Sequence, residues 1–410
     1  MTDSPMSNPL IAQLQAQLQE LGAQGLYRNR RIVATPCAPQ LAVDGRRVLS
    51  FNSNDYLGLA ADARVVEALR EGASRYGAGS GASHLVSGHG LAHSQLEEKL
   101  AEFIAPHVPS VRALYFSSGY LANLGVLGAL SSPDPANTEV FSDALNHASL
   151  IDAARLSRAV VKIYPHGDLA ALDTLLSASP AKNMLVVTDG VFSMDGDIAP
   201  LPALLALCER HGAWLVVDDA HGFGVLGENG RGVLEHFDLC SPLLVYMGTL
   251  GKAAGVAGAF VAAHETVASW LVQRARTYIY TTAAPPAVAH ALITSLHLIG
   301  GEVGRQRRLH LAALRQAMAD LALRPGWTRL LSDTPIQPLV IGGNTEVLQV
   351  SQVLLDLGVW VSAIRAPTVP PGLARLRITL SASHTLDDVA QLKSALQTAC
   401  ERTIPIQMDA

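Results

Sequence analysis

Between residues 111 and 263, short apolar runs alternate with segments of helical periodicity, and this alternation restricts the fold more than any other feature. The apolar runs span 112–116, 138–141, 159–164, 184–188, 213–218, 243–247 and 258–262. The helical segments between them span 119–131, 147–157, 168–178 and 200–211. Because the runs are continuously apolar, they predict an α/β fold with a mainly parallel, seven-stranded sheet covered by helices. In such sheets, ligands bind beyond the carboxyl ends of the strands.

Two further regions flank this one and complete the predicted domain organisation. Residues 1–50 carry apolar positions at helical spacing and predict an N-terminal helix and arm. Residues 51–300 contain the alternating region and predict the large domain. Residues 301–410 predict a smaller α+β C-terminal domain, with strands at 336–341, 359–364 and 374–380 and helices at 302–322, 345–357 and 386–401.

Composition narrows the possible partners and the location. The formal net charge is −5 without a dense basic run, which argues against nucleic acid or an anionic membrane surface as the main partner. The four cysteines are scattered, as expected in a reducing compartment. Neither a signal peptide nor an apolar stretch of membrane-spanning length is visible, so we expect a cytoplasmic protein.

Lys252 is the most unusual residue of the predicted sheet region. It follows the apolar run 243–247 in the sequence VYMGTLGKAAGVAGA, where its neighbours are Ala, Gly and Val. Lysine is rarely buried without a partner, and desolvation would lower its pKa and make the amine a usable nucleophile. The alternative is a surface lysine at the tip of a loop.

Polar motifs follow several other predicted strands. Ser118 and Gly119 follow the run 112–116 and open a helix, where free backbone N–H groups suit a phosphate or simply an N-cap. Asp218 ends the run 213–218, and His221 follows three residues later. A buried carboxylate is costly unless it is paired, and it could keep a ring nitrogen protonated. His147, at a loop–helix junction, could cap the helix or lie against a planar ligand.

Three other chemistries fit these motifs less well. The glycine-rich segment 77–84 is neither a dinucleotide fingerprint nor a nucleotide phosphate loop, which argues against a nicotinamide-dependent oxidoreductase and a nucleotide hydrolase. A metal site at Asp195 and Asp197 is disfavoured, because the other ligands of a hard-cation loop are missing. A lysine amine, a carboxylate, two histidines and a phosphate-ready helix start are instead what pyridoxal phosphate (PLP) requires.

Nine motifs resemble those of the α-oxoamine synthases, which are PLP enzymes of the aspartate aminotransferase (type I) fold. They are FNSNDYLGL, GSGASHLVSGH, FSSGYLAN, LNHASLIDAARLS, DGVFSMDGDIAPL, VVDDAHGFGVLGENGRG, GTLGKAAGVAGA, YIYTTAAPP and AIRAPTVPPGLARLRITLSASH. The resemblance covers residues 26–400. It implies a homodimeric PLP-dependent acyltransferase with shared active sites and without a metal.

The resemblance also implies roles for individual residues. Those at the cofactor are Lys252 as the covalent attachment point and base, His147 on the ring, Asp218 at the ring nitrogen, His221 and Ser193 at the phenolic oxygen, Gly119, Tyr120 and Thr249 at the phosphate, and Thr281 or Thr282 at the phosphate of the neighbouring subunit. Those at the substrates are Arg365 at the amino-acid carboxylate, with Asn54 and Thr368 nearby, and Arg28 near the acyl chain.

The implied reaction is the decarboxylative condensation of an amino acid with an acyl thioester. Within the family, the motifs are most similar to those of the biotin-pathway members that join L-alanine to a pimeloyl thioester of coenzyme A or acyl carrier protein. Sister enzymes that use glycine or serine stay open, namely 2-amino-3-ketobutyrate CoA ligase, 5-aminolevulinate synthase and serine palmitoyltransferase. A non-catalytic binding protein on the same fold is a remote alternative.

This chain also departs from the family pattern at several positions. Asp189 stands where glutamate is usual, Ala366 where proline is usual, and His89 where an aromatic residue is common. His84 and Leu85 alter the glycine-rich loop. These departures affect the expected substrate detail more than the expected cofactor site.

Overall fold

A computed structural model describes residues 8–319, 321 and 324–402, and within them it contains three β-sheets and the surrounding helices. The strands are β1 Gln40–Val43, β2 Arg46–Ser50, β3 Val111–Phe116, β4 Thr138–Asp143, β5 Val160–Tyr164, β6 Asn183–Asp189, β7 Trp214–Asp218, β8 Leu244–Thr249, β9 Ala259–His264, β10 Thr328–Arg329, β11 Ile336–Gly342, β12 Val359–Trp360, β13 Ser362–Ile364 and β14 Ala374–Thr379.

The helices cover the sheets and connect most of the strands. They are α1 Pro9–Ala23, α2 Ala63–Tyr76, α3 Leu91–Ile104, α4 Gly119–Ser131, α5 Ala148–Leu156, α6 Leu169–Ser177, α7 Leu201–His211, α8 Val233–His236, α9 Glu265–Arg274, α10 Arg276–Ile279, α11 Pro286–Gly300, α12 Glu302–Ala317, α13 Asn344–Asp356 and α14 Leu386–Arg402. One π-helical turn spans His84–Gly88, and a 3₁₀ turn spans Pro135–Asn137.

The central sheet has seven strands in the order β3-β9-β8-β7-β6-β4-β5. All neighbouring pairs from β8 to β5 are parallel, whereas β9 runs antiparallel to both β8 and β3. The prediction of a mainly parallel sheet is therefore confirmed. Strands β4, β8 and β9 are buried on both faces, so continuously apolar runs were their correct signature, whereas the edge strand β5 is mostly exposed.

Strand register places the ends of β6, β7 and β8 side by side. Asp189 at the end of β6 is the direct partner of Asp218 at the end of β7, and Asp218 is the partner of Met247 in β8. Since these strands are parallel, their carboxyl ends lie at one edge of the sheet. The turn that follows β8 then delivers Lys252 to the same edge.

The remaining strands form two smaller sheets. The arm strands β1 and β2 pair antiparallel, and β2 also pairs in parallel with β12, so the N-terminal arm is joined to residues far along the chain. Strands β10, β11, β14 and β13 form an antiparallel sheet in that order. The domain boundaries proposed from the sequence stay a prediction.

Several elements differ from the sequence-based predictions. The segment 359–364 forms β12 and β13 in two different sheets rather than one strand. Strands β1 and β10 and helices α8 and α10 have at most four residues each, which is too short for a clear apolar period. Helix α12 ends at Ala317, and the predicted end at 322 lies outside the described residues.

Within the described residues, no single helix has the length and apolar character needed to cross a membrane. Helices α11 and α12 meet those criteria only as a pair, across a bend of 63°. The helix α1 is notable for another reason, because none of its residues is buried.

Candidate active site

Lys252 projects into the protein at the edge of the central sheet, in the turn after β8. Its Nζ lies 2.8 Å from Nε2 of His221, and the side chains that follow it, Ala253 and Ala254, are buried. Burial lowers the pKa of Lys252 to about 8, and the negative Asp218 limits that decrease. About a tenth of this amine is therefore uncharged at pH 7, and a nucleophile requires the uncharged form.

His221 links Lys252 to a chain of polar groups. Its Nδ1 lies 2.6 Å from the hydroxyl of Tyr56, which in turn can donate to Oδ1 of Asn54 at 3.2 Å. Burial, followed by the positive charge of Lys252, lowers the pKa of His221 well below its usual value. A single neutral tautomer satisfies the chain, with Nε2 accepting from Lys252 and Nδ1–H donating to Tyr56.

Arg377, in β14, is the arginine that lies at this chain of polar groups. Its Nε donates to the carbonyl of Ser193 at 2.6 Å, and its Nη1 donates to Oδ1 of Asn54 at 3.1 Å. Among the described residues, its buried Nη2 has no hydrogen-bond partner. Its positive charge also helps to lower the pKa of Lys252. A buried guanidinium with a free N–H edge is suited to a carboxylate.

Sequence reasoning did not single out Arg377. The only signal was the pattern Arg-Leu-Arg in a strand, which usually indicates a solvent-facing edge. Here every residue of β14 is buried, and Arg375 is used to bind Asp195 at 2.6 Å. Asp195 therefore has a structural partner, and Asp197 likewise lies 3.0 Å from Nε2 of His166.

The carboxylate of Asp218 is held rigidly at the end of β7. The amide of Asn123 donates to its Oδ2 at 2.7 Å, and the N–H of Ala220 donates to its Oδ1 at 3.0 Å. Asp189 lies beside it and accepts from the N–H of His147 at 2.6 Å. Burial, together with the charge of Asp218, raises the pKa of Asp189 well above its usual value. The charged form of Asp189 is therefore disfavoured at this position.

His147 caps helix α5 and is fixed by Ser149. Its Nδ1 accepts from the Ser149 N–H at 3.2 Å and contacts the Ser149 hydroxyl at 2.7 Å. Burial lowers the pKa of His147, although Asp218 opposes that effect. The cap and the planar-ligand interpretations are compatible, because Nδ1 forms the cap while the ring remains available as a flat surface.

The start of helix α4 is the candidate phosphate site. Ser118 caps the helix, since its hydroxyl accepts from the Leu121 N–H at 3.3 Å. The N–H groups of Gly119 and Tyr120 precede the first intrahelical bond and are free to bind an anion. A Cβ at Gly119 would lie 3.9 Å from the Thr249 hydroxyl, so the end of β8 borders this site. The Tyr120 side chain points elsewhere and bonds to Asp152.

The other predicted site residues lie on loops. Thr281 is half-buried and Thr282 is exposed, in the segment between α10 and α11, where Thr282 pairs with Ser83. Thr282 borders a cavity of about 420 Å³ that also reaches Ser117. Thr282 is therefore near the start of α4, although no hydrogen bond among the described residues joins them.

Three predicted substrate residues form a separate group near the N-terminal arm. The guanidinium of Arg365 donates to the carbonyl of Gly25, and burial followed by the charge of Arg28 lowers its pKa. Thr368 is exposed, and its N–H donates to the carbonyl of Arg365 at 3.0 Å. Arg28 is also exposed. No hydrogen bond within the described part of the chain joins these three residues to the group around Lys252.

The residues around Lys252 fit PLP. The buried amine can bond to its aldehyde, Asp218 can pair with a protonated ring nitrogen, and the open start of α4 can hold its phosphate. Nη2 of Arg377 and Oδ1 of Asn123 are buried without hydrogen-bond partners among the described residues. Both atoms are therefore available to hydrogen-bond to a ligand.

Comparisons with known proteins agree with this chemistry. The family described as aminotransferase class I and II matches residues 46–396. An 8-amino-7-oxononanoate synthase from Janthinobacterium sp. (strain Marseille) is 64% identical over 390 residues, which cover 95% of this chain and 98% of that protein.

Two solved structures extend this agreement to three dimensions. A serine palmitoyltransferase from S. paucimobilis with bound PLP–myriocin is 28% identical, with a TM-score of 0.87 over 97% of this chain and 99% of that one. An 8-amino-7-oxononanoate synthase from Francisella tularensis is 31% identical, with a TM-score of 0.71 over 86% and 98%. The chain therefore belongs to the class I and II aminotransferase family and, within it, to the α-oxoamine synthases named 8-amino-7-oxononanoate synthase.

Proposed function

We propose that this protein catalyses the PLP-dependent decarboxylative condensation of L-alanine with a pimeloyl thioester. The products are 8-amino-7-oxononanoate, CO₂ and the free thiol, in biotin biosynthesis. The observation that carries this function is the 64% identity, over nearly the full length of both chains, to a protein named for that product. The buried Lys252 amine beside Asp218 and His221 supplies the nucleophile that a PLP-dependent reaction requires.

The cofactor residues have distinct functions. Before the substrate binds, Lys252 would hold PLP covalently, and Asp218 would pair with the ring nitrogen, where Asn123 keeps the carboxylate oriented. His147 would lie against the ring, and His221 and Ser193 would contact the phenolic oxygen. The N–H groups of Gly119 and Tyr120, with the hydroxyl of Thr249, bind the phosphate. Thr281 or Thr282 reaches the phosphate of a second copy in a homodimer with shared sites.

Bound PLP supplies an electron sink for negative charge at the α-carbon of the amino acid. Lys252 removes the α-proton of alanine. The α-carbon then bonds to the carbonyl carbon of the thioester, and the C–S bond breaks to release the thiol. The carboxylate carbon leaves as CO₂, and a proton added to the same α-carbon gives the aminoketone. His147 and Asp218 hold the reactants in the orientation that these steps require.

The carboxylate of alanine is bound by an arginine, and two candidates exist. The family resemblance points to Arg365, whose guanidinium bonds to the arm. The contacts of Arg377 with Asn54 and Ser193, together with its free Nη2 and its effect on Lys252, favour Arg377 for this role. We propose that Arg377 binds this carboxylate, with Asn54 beside it. Arg365 then remains available, with Thr368 and Arg28, on the side of the acyl chain.

The thioester carrier and the cellular setting complete the proposal. The pimeloyl group arrives on coenzyme A or on acyl carrier protein, and either carrier delivers the same reacting carbonyl. We propose a cytoplasmic enzyme, because the four cysteines are scattered and, within the described residues, free.

Thiol release by the purified, PLP-loaded protein tests this function directly. Pimeloyl thioester is offered with L-alanine, glycine or L-serine in turn, and the aminoketone is identified by mass. We expect release to depend on alanine. Release only with glycine or serine would instead place the chain with a sister α-oxoamine synthase. No release with any of the three, despite bound PLP, would favour the non-catalytic alternative.

A further inference from the structure

Three histidines form a cluster between the π-helical turn and the start of α3. Nδ1 of His84, in the π-helical turn, lies 2.9 Å from Nδ1 of His89, whose Nε2 lies 3.0 Å from the Ser94 hydroxyl. The ring of His93, in α3, lies 5.3 Å from that of His84 and 5.7 Å from that of His89. His84 and His93 are buried, although none of the proposed chemistry uses them.

This cluster is attached to the segment that carries Thr281 and Thr282. The ring of His84 stacks on Tyr278 at 4.4 Å with an interplanar angle of 8°. On the far side of the threonines, Nε2 of His93 bonds to the carbonyl of Ala284 at 2.8 Å. The histidines therefore contact Tyr278, three residues before Thr281, and Ala284, two residues after Thr282.

The glycine-rich loop before His84 is also hydrogen-bonded to the segment that carries Thr281 and Thr282. The N–H of Ala283 donates to the carbonyl of Ala82 at 2.9 Å, and the Ser80 hydroxyl donates to the carbonyl of Ala283. Ser83, adjacent to His84, pairs with Thr282. A displacement of His84 would therefore move the loop and the threonine segment together.

The charged and titratable groups that face the pair come from three elements. Glu97 in α3 lies 3.9 Å from Nε2 of His89 and accepts from the Tyr115 N–H at 2.8 Å. Burial raises the pKa of Glu97 to about 7. The positive charge of Arg112, in β3, adds to the lowering of the pKa of His89 by burial and opposes the rise in the pKa of Glu97. Tyr278, in α10, stacks on the ring of His84. Because its pKa is about 7, the Glu97 carboxylate becomes neutral as the pH falls below that value and does not hold both rings in the charged form in acid.

We propose that the His84–His89 pair positions the Thr281–Thr282 segment and makes retention of PLP dependent on pH. Two neutral rings share one hydrogen bond, because one Nδ1 carries a proton and the other accepts it. When both rings are protonated, two N–H groups face each other and the contact becomes repulsive. The π-helical turn and the attached segment then separate. This inference rests on the proposed contact of Thr281 or Thr282 with the PLP phosphate of the second copy in the homodimer.

The direction of the pH effect follows from burial. Burial, followed by the charge of His93, lowers the pKa of His84 to about 4, and burial also lowers the pKa of His89. The unfolded chain therefore binds more protons than the folded one below the ordinary histidine pKa of 6.5. The contribution of the His84–His89 pair to the stability of the folded protein is complete above that pH and is lost as the pH falls towards 4.

The test compares PLP release from the holoenzyme at pH 7.0 and pH 4.5 in three proteins. They are the unmodified protein, His89→Phe, which keeps an aromatic ring without a titrating group, and His297→Gln, which alters an exposed histidine outside the cluster. Release is followed by absorbance after dilution. We expect acid to accelerate release about threefold more in the unmodified protein and in His297→Gln than in His89→Phe.

Equal acid acceleration in all three proteins would overturn the inference. Thr282→Ala, measured at pH 7.0, then identifies the reason. If it releases PLP faster than the unmodified protein, the contact of Thr282 with the phosphate is supported and the proposed role of the His84–His89 pair is wrong. If it does not, the proposed role of Thr282 is wrong. His84→Gln is the second variant should His89→Phe fail to fold, and hydrogen exchange of residues 277–285 gives a readout that does not depend on activity.

Discussion

The edge of the central sheet and the loops beside the N-terminal arm both contain predicted site residues, but they hold them differently. At the sheet edge, Asp189 and Asp218 are buried, directly paired in register, and hydrogen-bonded to fixed groups. Beside the arm, Arg28 and Thr368 are exposed, and Arg365 bonds to a backbone carbonyl of the arm. Strand register therefore determines the first group, whereas loop and arm conformation determines the second. Substitutions in the first group should have the larger and more specific effects.

The largest expected effect comes from Lys252→Ala, which removes both the covalent attachment point and the proposed base. We expect kcat for thiol release to fall by at least about 10³-fold. The exposed Lys182→Ala is a control that should leave kcat unchanged. A Lys252→Ala protein with near-normal turnover would show that the sheet edge is not the reactive centre.

The second test compares Arg377, which contacts the polar groups beside Lys252, with Arg365, which bonds to the arm. Arg377→Lys keeps the charge but loses the planar fork, and we expect the KM for alanine to rise by about 30-fold. Arg365→Lys should change the KM for alanine by less than about threefold and act mainly on the thioester. The reverse result would restore Arg365 as the carboxylate ligand, as the family resemblance implies. Both constants come from steady-state assays at saturating co-substrate.

Much of the sheet edge could be predicted from the sequence, and the reason is geometric. Apolar runs identified all seven strands of the central sheet, and the residue after each run is necessarily near its carboxyl end. Lys252, Asp218 and His147 therefore came together as expected. Their mutual contacts did not follow from the sequence, because the raised pKa of Asp189 and the chain from His221 to Tyr56 depend on packing between distant segments.

The arm region could not be predicted to the same extent. Segment 359–364 contains one apolar pattern, yet its two halves join different sheets because the arm strand β2 pairs with the first half. Arg377 was missed for a related reason. Its strand lies against the loop that contains Ser193 and Asp195, so two arginines that suggest a solvent-facing edge are buried instead.

The pH dependence of PLP incorporation tests whether Lys252 is buried at the sheet edge. Because burial lowers the pKa of Lys252 to about 8, the uncharged amine increases about tenfold per pH unit below that value. We expect the rate of PLP incorporation into the cofactor-free protein to rise with the same slope between pH 6 and 7 and to level off above about 8. A rate that continues to rise to pH 10 would indicate an amine of ordinary pKa, exposed to solvent. Absorbance of the bound cofactor after mixing gives the rate.

The smallest expected effect is at the arm, where Arg28→Gln removes a charge near the acyl chain. Arg28 is exposed, so solvent screens its attraction for a substrate anion, and we expect the KM for the pimeloyl thioester to rise only about threefold. The KM for alanine should not change, because no contact joins Arg28 to Arg377 within the described residues. Arg30→Gln, also exposed and two positions along the same arm, is the matched control. The effect should decrease further at high salt, since exposed charges are screened beyond about 10 Å at 0.1 M. An Arg28→Gln effect as large as that of Arg377→Lys, or one independent of salt, would mean that the arm closes over the bound substrate and becomes as buried as the sheet edge.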